Sequence, residues 1–79
     1  MGSTRERVRL HGRLSGQGHE AKCIVWATKV SLPGGPSAFV AYEIEGRSLA
    51  LPEGDYQLAV SNGAVMSARQ SGGHWLART

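Results

Sequence analysis

Apolar and polar residues alternate along most of the chain with a period of two. Successive side chains of a β-strand point to opposite faces of the sheet, so this pattern predicts strands. No segment repeats its apolar positions with the spacing of an amphipathic helix. We therefore predict strands at residues 5–14, 21–32 and 37–46, a short extended segment at 48–51, two runs flanking Asn62-Gly63, and a last run at 74–78.

Glycine-rich segments separate these runs and predict turns, most clearly at residues 15–20, 33–36 and 72–73. Asn62-Gly63 stands between two alternating runs and predicts a type I′ hairpin turn, in which both central residues have positive φ. That turn predicts a register with Ser61 opposite Ala64, Val60 opposite Val65, and Leu58 opposite Ser67.

Together these elements predict an all-β fold of five or six short antiparallel strands in a meander, within one domain of 79 residues. A small sheet hides its edges by curling, which favours an SH3-like or partly open barrel. A flatter half-sandwich that dimerises is the alternative architecture. Residues 1–4 are expected to be flexible.

The predicted second strand is apolar on both faces. One face carries Ile24, Trp26, Thr28 and Val30, and the other carries Cys23, Val25, Ala27 and Lys29. Because a small barrel has one interior, one of these faces is expected to contact another molecule, and we predict a homo-oligomer. In the third strand, the better core face carries Ala38, Val40, Tyr42 and Ile44, opposite Phe39, Ala41, Glu43 and Glu45.

The aromatic residues are candidates for both the core and a binding surface. Trp26, Phe39 and Tyr42 stand in apolar alternations and are expected in the core. Tyr56 begins a hairpin strand and is expected to be half-exposed. Trp75 follows a predicted turn and is either a lid on the core or an exposed anchor.

Composition narrows the possible functions. The net charge of +3 and the isoelectric point of about 9.6 suit an acidic partner without requiring one. A single cysteine excludes an intrachain disulfide. The sequence shows no apolar leader and no apolar segment of membrane-spanning length, so we expect a cytoplasmic protein that does not enter a membrane.

The first predicted strand carries the clearest candidate for a binding surface. Arg5, Arg7, Arg9, His11 and Arg13 share one face, over about 27 Å at about 3.3 Å per residue. Such a row suits the phosphates of a nucleic acid or the carboxylates of a protein, since a guanidinium group donates two hydrogen bonds to either. The alternative is that the row is only the solvated face of an edge strand, where charge discourages aggregation.

Glu43 and Glu45 decide between these interpretations. Both stand on one face of the third predicted strand. If they lie beside the arginine row, cross-strand pairing neutralises it and the nucleic-acid interpretation loses most of its support.

No motif indicates catalysis, a metal or a cofactor. The histidines and Cys23 lack the paired spacing of a zinc site, and Cys23 stands among apolar residues as a small core side chain. We therefore expect a non-enzymatic module that binds a nucleic acid or an acidic protein. The predicted partner-binding residues are Arg5, Arg7, Arg9, Arg13, Trp75 and Arg78. The alternative function is a homo-oligomeric interaction module that uses the apolar second strand.

Overall fold

A computed structural model describes residues 4–45 and 50–78. These residues form six β-strands and no helix: β1 (Thr4–Gly16), β2 (His19–Ser31), β3 (Ser37–Glu45), β4 (Gly54–Val60), β5 (Val65–Ser71) and β6 (His74–Arg78). Thr4 is the first residue of β1, and residues 1–3 lie outside the described residues. The predicted extended segment at 48–51 lies partly outside them too, and its described residues, Ala50 and Leu51, belong to no strand.

All six strands are antiparallel and form one sheet in the order β3-β2-β1-β4-β5-β6. The sheet curls into a nearly closed barrel, in which the edge strands β3 and β6 contact each other without pairing. The predicted partly open barrel is thus confirmed. The strand order is not that of a simple meander, because β4 pairs with β1 instead of β3.

β1 and β2 form a hairpin that extends beyond the rest of the barrel. Each strand has 13 residues, and the molecule measures 46 Å in its longest direction. A strand of that length spans about 43 Å at about 3.3 Å per residue. β4 pairs with β1 only over Gly12–Ser15. The rest of β1, with the neighbouring parts of β2 and β3, forms a three-stranded arm, defined here as residues 4–10, 25–31 and 37–44. The base of the arm, with Val25, Tyr42 and Ile44, packs into the barrel core, and its other end extends beyond the barrel.

The core lies inside the barrel. Leu14, Val25 and Leu58 are fully buried and come from three different strands. Burying one aliphatic side chain of this size contributes about 1.5–3 kcal/mol. The other members of the buried cluster are Cys23, Tyr56, Val60, Met66 and Ala68. The alternation of buried and exposed positions in β4 and β5 follows the period of two that predicted these strands.

Two hairpins use two-residue turns in which both residues have positive φ, as a type I′ turn requires. Gln17 and Gly18, with φ of 52° and 75°, connect β1 and β2. Gly72 and Gly73, with φ of 58° and 83°, connect β5 and β6. The hairpin predicted at residues 72–73 is therefore confirmed, and the turn predicted within residues 15–20 is formed by Gln17 and Gly18.

The register predicted for the β4–β5 hairpin is wrong by one residue. Leu58 lies opposite Met66 and not opposite Ser67. The predicted register would have placed buried Leu58 on the same face as exposed Ser67. Because residues that lie opposite each other share a face, the observed register brings the buried side chains of both strands together.

The turn of this hairpin also differs from the predicted type I′ turn. Gly63 has a φ of 94°, whereas Asn62 does not have a positive φ. The N–H of Val60 donates to the C=O of Ala64 at 2.8 Å, and the N–H of Gly63 donates to the C=O of Val60 at 2.9 Å. Residues 61–63 thus form a three-residue loop that ends in the left-handed conformation, a common alternative for hairpins. The side-chain oxygen of Asn62 accepts a hydrogen bond from the N–H of Ala64 at 3.1 Å and stabilises the loop.

We expect Gly63→Val to lower the free energy of unfolding by about 1 kcal/mol or more, because β-branched residues avoid positive φ. Nothing lies within 4 Å of a Cβ built at Gly63, so the effect arises in the backbone and not from a clash. Chemical denaturation measures the loss. Gly63→Asn is the matched control, since asparagine adopts this conformation more readily. Equal midpoints for the two variants would contradict the left-handed conformation of the turn.

A β-bulge changes the faces predicted for β3. Ala41 and Phe39 lie opposite consecutive residues of β2, so Val40 between them is an additional residue. Phe39 consequently shares the inner face with Tyr42, at a ring-centroid distance of 6.1 Å, and not the outer face with Ala41 as predicted. Val40 is 59% exposed and does not contribute to the core.

The aromatic residues are placed differently from the prediction in three cases. Tyr56 was expected to be half-exposed but is buried, and its hydroxyl donates to the C=O of Pro52 at 2.6 Å. Trp26 lies half-buried on the outer face of the sheet, because the smaller side chains of β2 face the core. Phe39 is exposed, whereas Tyr42 packs against the core as expected.

Candidate binding surface on the outer face of the sheet

The predicted arginine row lies on the solvent-facing side of β1. Arg5, Arg7, Arg9 and Arg13 are all exposed, whereas Leu14, on the opposite face, is fully buried. The pattern of β1 alone therefore indicated correctly which of its residues face the solvent. We call the outer face of β1, β2 and β3 the candidate surface.

Two of the arginines form ion pairs with glutamates of β2 and β3. Nη2 of Arg7 lies 3.1 Å from Oε2 of Glu43, a contact that reaches from β1 across β2 to β3. Nη1 of Arg13 lies 2.8 Å from Oε1 of Glu20 in β2. All four side chains are more than half exposed, so each pair stabilises the fold by only about 0–1 kcal/mol. The pairs do, however, reduce the positive charge that the surface offers to a partner.

Trp26 lies at the centre of the candidate surface, between Arg9 of β1 and Glu43 of β3. The guanidinium carbon of Arg7 lies 5.0 Å from the centroid of its ring, which is a cation–π contact. Its indole N–H donates to Oε2 of Glu45 at 3.3 Å. Glu43 therefore contacts the arginine row directly, whereas Glu45 lies on the other side of Trp26 from it.

Arg5 and Arg9 form no ion pair within the described part of the chain. Their cross-strand neighbours in β2 are Val30 and Trp26, which carry no charge. These two guanidinium groups are therefore the members of the row that are most available to an external anion.

Trp75 lies in β6, at the far end of the sheet order from β1. It is half-buried, and its ring centroid lies 5.3 Å from that of Tyr56, so it covers the core in the manner of a lid. It also lines a groove of about 530 Å³ between β3 and β6, together with Trp26, Glu43 and Glu45. Closure of the barrel thus brings Trp75 to the β3 side of the candidate surface.

Arg78 faces outward from β6, apart from the row. A line of cross-strand pairs through Ser67 and Gln57 connects it with Ser15 of β1. Three strand spacings of about 4.8 Å place it roughly 14 Å from that strand. Arg78 therefore shares the outer face of the barrel with the arginines of β1 without contacting them.

Cys23 and the charged residues offer no reactive centre in the described part of the chain. Cys23 is buried in the core, and burial raises the pKa of its thiol, which favours the unreactive protonated form. No three side chains of His, Cys, Asp or Glu among residues 4–45 and 50–78 lie together as a metal site requires. The same residues include no helix with the length and apolar character needed to cross a membrane.

Sequence reasoning missed the cluster of Trp26 with Arg7, Glu43 and Glu45. The sequence predicts a core position for Trp26 because this residue stands in an apolar alternation. A signal was available in the sequence, since the face opposite Trp26 carries Cys23 and the other small side chains that a narrow barrel interior accommodates. The contact between Arg7 and Glu43, by contrast, depends on three strands lying side by side.

Comparison of the chain with models of known protein families, with curated proteins and with solved structures gives no match. The function is therefore inferred from the candidate surface itself.

Proposed function

We propose that the protein is a non-enzymatic binding module that engages an acidic protein through the outer face of β1. The observation that carries this proposal is the row of four exposed arginines, in which Arg5 and Arg9 have no ion-pair partner within the described residues. A guanidinium group donates two parallel hydrogen bonds to a carboxylate. Arginine and tryptophan are also the residues most enriched among those that dominate binding energy at protein interfaces, and Trp26 lies directly beside Arg9.

The charges of the candidate surface favour an acidic protein over a nucleic acid. Glu20, Glu43 and Glu45 lie among the cations of this surface, and two of them already pair with arginines. Duplex DNA carries about one negative charge per 1.7 Å along its axis, so carboxylates along its path repel it. A protein offers separate carboxylates and apolar groups, which suit Arg9 and the neighbouring ring of Trp26. The nucleic-acid interpretation therefore loses support.

We expect the double variant Arg5→Gln/Arg9→Gln to bind a labelled glutamate-rich peptide at least about fivefold more weakly than the unmodified protein, because two charge-assisted contacts are lost. Fluorescence anisotropy in about 50 mM salt measures the affinity, since low salt leaves such contacts unscreened. The matched control is Lys29→Gln/Arg69→Gln, which removes the same charge from the inner face of β2 and from β5. The control is expected to bind within about twofold of the unmodified protein.

Equal losses in the two double variants would show that net charge, and not β1, controls binding. A duplex oligonucleotide in the same buffer tests the nucleic-acid alternative, for which three or four phosphate contacts give a log–log salt slope of about −3. Binding of the duplex with that slope, without binding of the peptide, would overturn the proposed protein partner.

Self-association is a second candidate function, favoured by exposed apolar side chains at the end of the arm. Leu32, Phe39 and Val40 are 53%, 36% and 59% exposed, close to the turn between β2 and β3. Ile24 and Val30 of β2 are also only half-buried on the outer face. Clusters of exposed apolar groups on a small protein mark contacts with other molecules.

If self-association is the function, light scattering at high micromolar concentration is expected to report a mass above the 8.4 kDa of one chain. Val40→Ser is expected to shift the protein toward the monomer, because it removes an apolar group from the end of the arm. Val65→Ser is the control, since Val65 is likewise 59% exposed but lies in β5. A monomeric mass for the unmodified protein would contradict this second candidate.

A further inference from the structure

Along the arm, no strand among residues 4–45 and 50–78 pairs with the edge of β1 that faces away from β2. β1 pairs with β2 over Thr4–Gly16, but with β4 only over Gly12–Ser15. Ser61 extends the second contact by one residue, as its N–H donates to the C=O of His11 at 2.8 Å. No described residue pairs with this edge over residues 4–10. A free strand edge is a template on which a further strand can pair.

The backbone groups of Arg5, Arg7 and Arg9 point toward this free edge. Successive residues of a strand direct their N–H and C=O groups alternately to its two sides. The C=O of His11 points to the β4 side, because it accepts the hydrogen bond from Ser61. Every second residue before His11 points the same way. The three arginines therefore present backbone donors and acceptors that no described residue pairs with, and basic side chains on the outer face beside the edge.

The two faces next to this edge determine the chemistry of a complementary strand. In a strand added antiparallel to β1, every second side chain lies on the outer face beside Arg5 and Arg9, which favours glutamate or aspartate there. The alternate side chains lie on the inner face beside Val8 and Leu10, which are both half-buried. Apolar residues are favoured at those positions because they extend the packing of the arm.

The β1 strand of a second copy does not place acidic side chains opposite these arginines. If two β1 strands pair antiparallel with their outer faces on the same side, a two-fold axis at Arg7 places Arg5 opposite Arg9. An axis at Val8 places Arg7 opposite Arg9. Like charges directly opposite each other destabilise a strand pair. The edge therefore selects an acidic strand over a second β1.

We infer that an extended peptide of alternating acidic and apolar residues adds to the β1 edge of the arm as a seventh strand. The inference rests on the proposed function, since it uses the same arginines, and it specifies that backbone hydrogen bonds hold the partner as well as charge. The acidic side chains pair with Arg5 and Arg9. Arg7 contributes its backbone groups, while its guanidinium remains with Glu43.

Labelled peptides of alternating glutamate and valine test the backbone contribution. The glutamates lie opposite the arginines, so their N–H groups face β1, whereas those of the valines face away. A peptide N-methylated at its glutamates keeps its charge but loses these donors, and we expect it to bind at least about tenfold more weakly than the unmodified peptide. The peptide N-methylated at its valines is the matched control and is expected to bind more tightly than the glutamate-methylated form.

Arg7→Pro and Arg7→Gln provide the corresponding test on the protein. Both variants remove the ion pair with Glu43, but only proline also removes the N–H that points to the free edge. Proline is tolerated in an edge strand where its missing N–H faces solvent. We expect Arg7→Pro to bind the alternating peptide at least about fivefold more weakly than Arg7→Gln. Circular dichroism shows whether both variants are folded, and if Arg7→Pro is not, the methylated peptides decide.

The outcomes separate this inference from the proposed function. Equal binding of the two methylated peptides overturns strand addition and leaves the binding of acidic proteins intact, since that function requires only the arginine side chains. Binding of the glutamate-rich peptide without binding of the alternating peptide would also overturn strand addition and leave the proposed function intact. Failure of every acidic peptide to bind overturns both proposals. Displacement of the alternating peptide by a duplex oligonucleotide, or by rising protein concentration, would assign the edge to a nucleic acid or to a second copy and would also overturn the inference.

Discussion

Leu58→Ala is expected to lower the free energy of unfolding by about 3–5 kcal/mol. Leu58 is fully buried in β4, opposite Leu14 of β1 and Met66 of β5. Truncation removes contacts with both neighbouring strands and leaves a cavity where β1 and β4 join the two halves of the sheet. A domain of this size has a total stability of about 4–12 kcal/mol. The variant therefore loses a large fraction of its stability, and a marginal domain would unfold.

Urea denaturation followed by circular dichroism measures this loss. Leu76→Ala is the matched control, because it makes the same chemical change at a leucine that is 53% exposed in β6. Leu76→Ala is expected to lower the free energy of unfolding by less than about 1 kcal/mol. Similar losses for the two variants would contradict the position of Leu58 at the centre of the core.

Gly12→Val is expected to lower the free energy of unfolding by about 3 kcal/mol, because it overpacks the core. A Cβ on Gly12 would lie 2.7 Å from a methyl carbon of Val25, 3.0 Å from a methyl carbon of Leu58 and 3.2 Å from the sulfur of Cys23. Carbon atoms in favourable contact are about 3.5–4.0 Å apart, so the first distance requires the surrounding side chains to move. Glycine is thus required at this position of β1 because the interior of the barrel leaves no room for a side chain.

A double-mutant cycle identifies the cause. Val25→Ala removes the methyl group that the side chain of Gly12→Val would contact. The double variant is therefore expected to lose less free energy of unfolding than the two single variants lose together. A coupling of about 1 kcal/mol or more is expected for residues in direct contact. Strictly additive losses, measured by the same denaturation experiment, would contradict the close approach of Gly12 and Val25.

Stability and binding are expected to be separable in this protein. Arg5 and Arg9 are exposed and make no ion pair within the described residues, so their replacement is expected to change stability by less than about 0.5 kcal/mol. Leu58 and Gly12 lie in the core, away from the candidate surface. A loss of peptide binding in the arginine variant, with an unchanged unfolding midpoint, therefore reports on the surface and not on the fold.

Local patterns were reliable where one face of a strand is clearly polar. β1 places its arginines in the solvent and Leu14 in the core as its alternation predicted. The glycines at 72 and 73 formed the predicted turn, because glycine adopts positive φ without strain. In both cases the preference resides in the residues themselves and is independent of their neighbours in space.

Local patterns failed where the packing of neighbouring strands selected between alternatives. Asn62-Gly63 is compatible with more than one hairpin turn, and the requirement that Leu58 meet Met66 in the core selected the three-residue loop. In β3 the additional residue Val40 moved Phe39 to the inner face. An unpaired residue changes no local propensity, so neither the alternation nor the composition of that strand revealed the bulge.

The period-two alternation alone specified an all-β chain of five or six strands and the exposure of Arg5, Arg7, Arg9 and Arg13. Only the tertiary structure determined that β4 pairs with the end of β1 nearest the β1–β2 turn, so that no described strand covers the rest of that edge, and that Glu43 reaches Arg7 across β2. The physical reason is that side-chain direction in a strand repeats locally, every two residues. The choice of neighbouring strand and register instead depends on contacts between residues that are distant in the sequence, where burial of the shared core outweighs local preference.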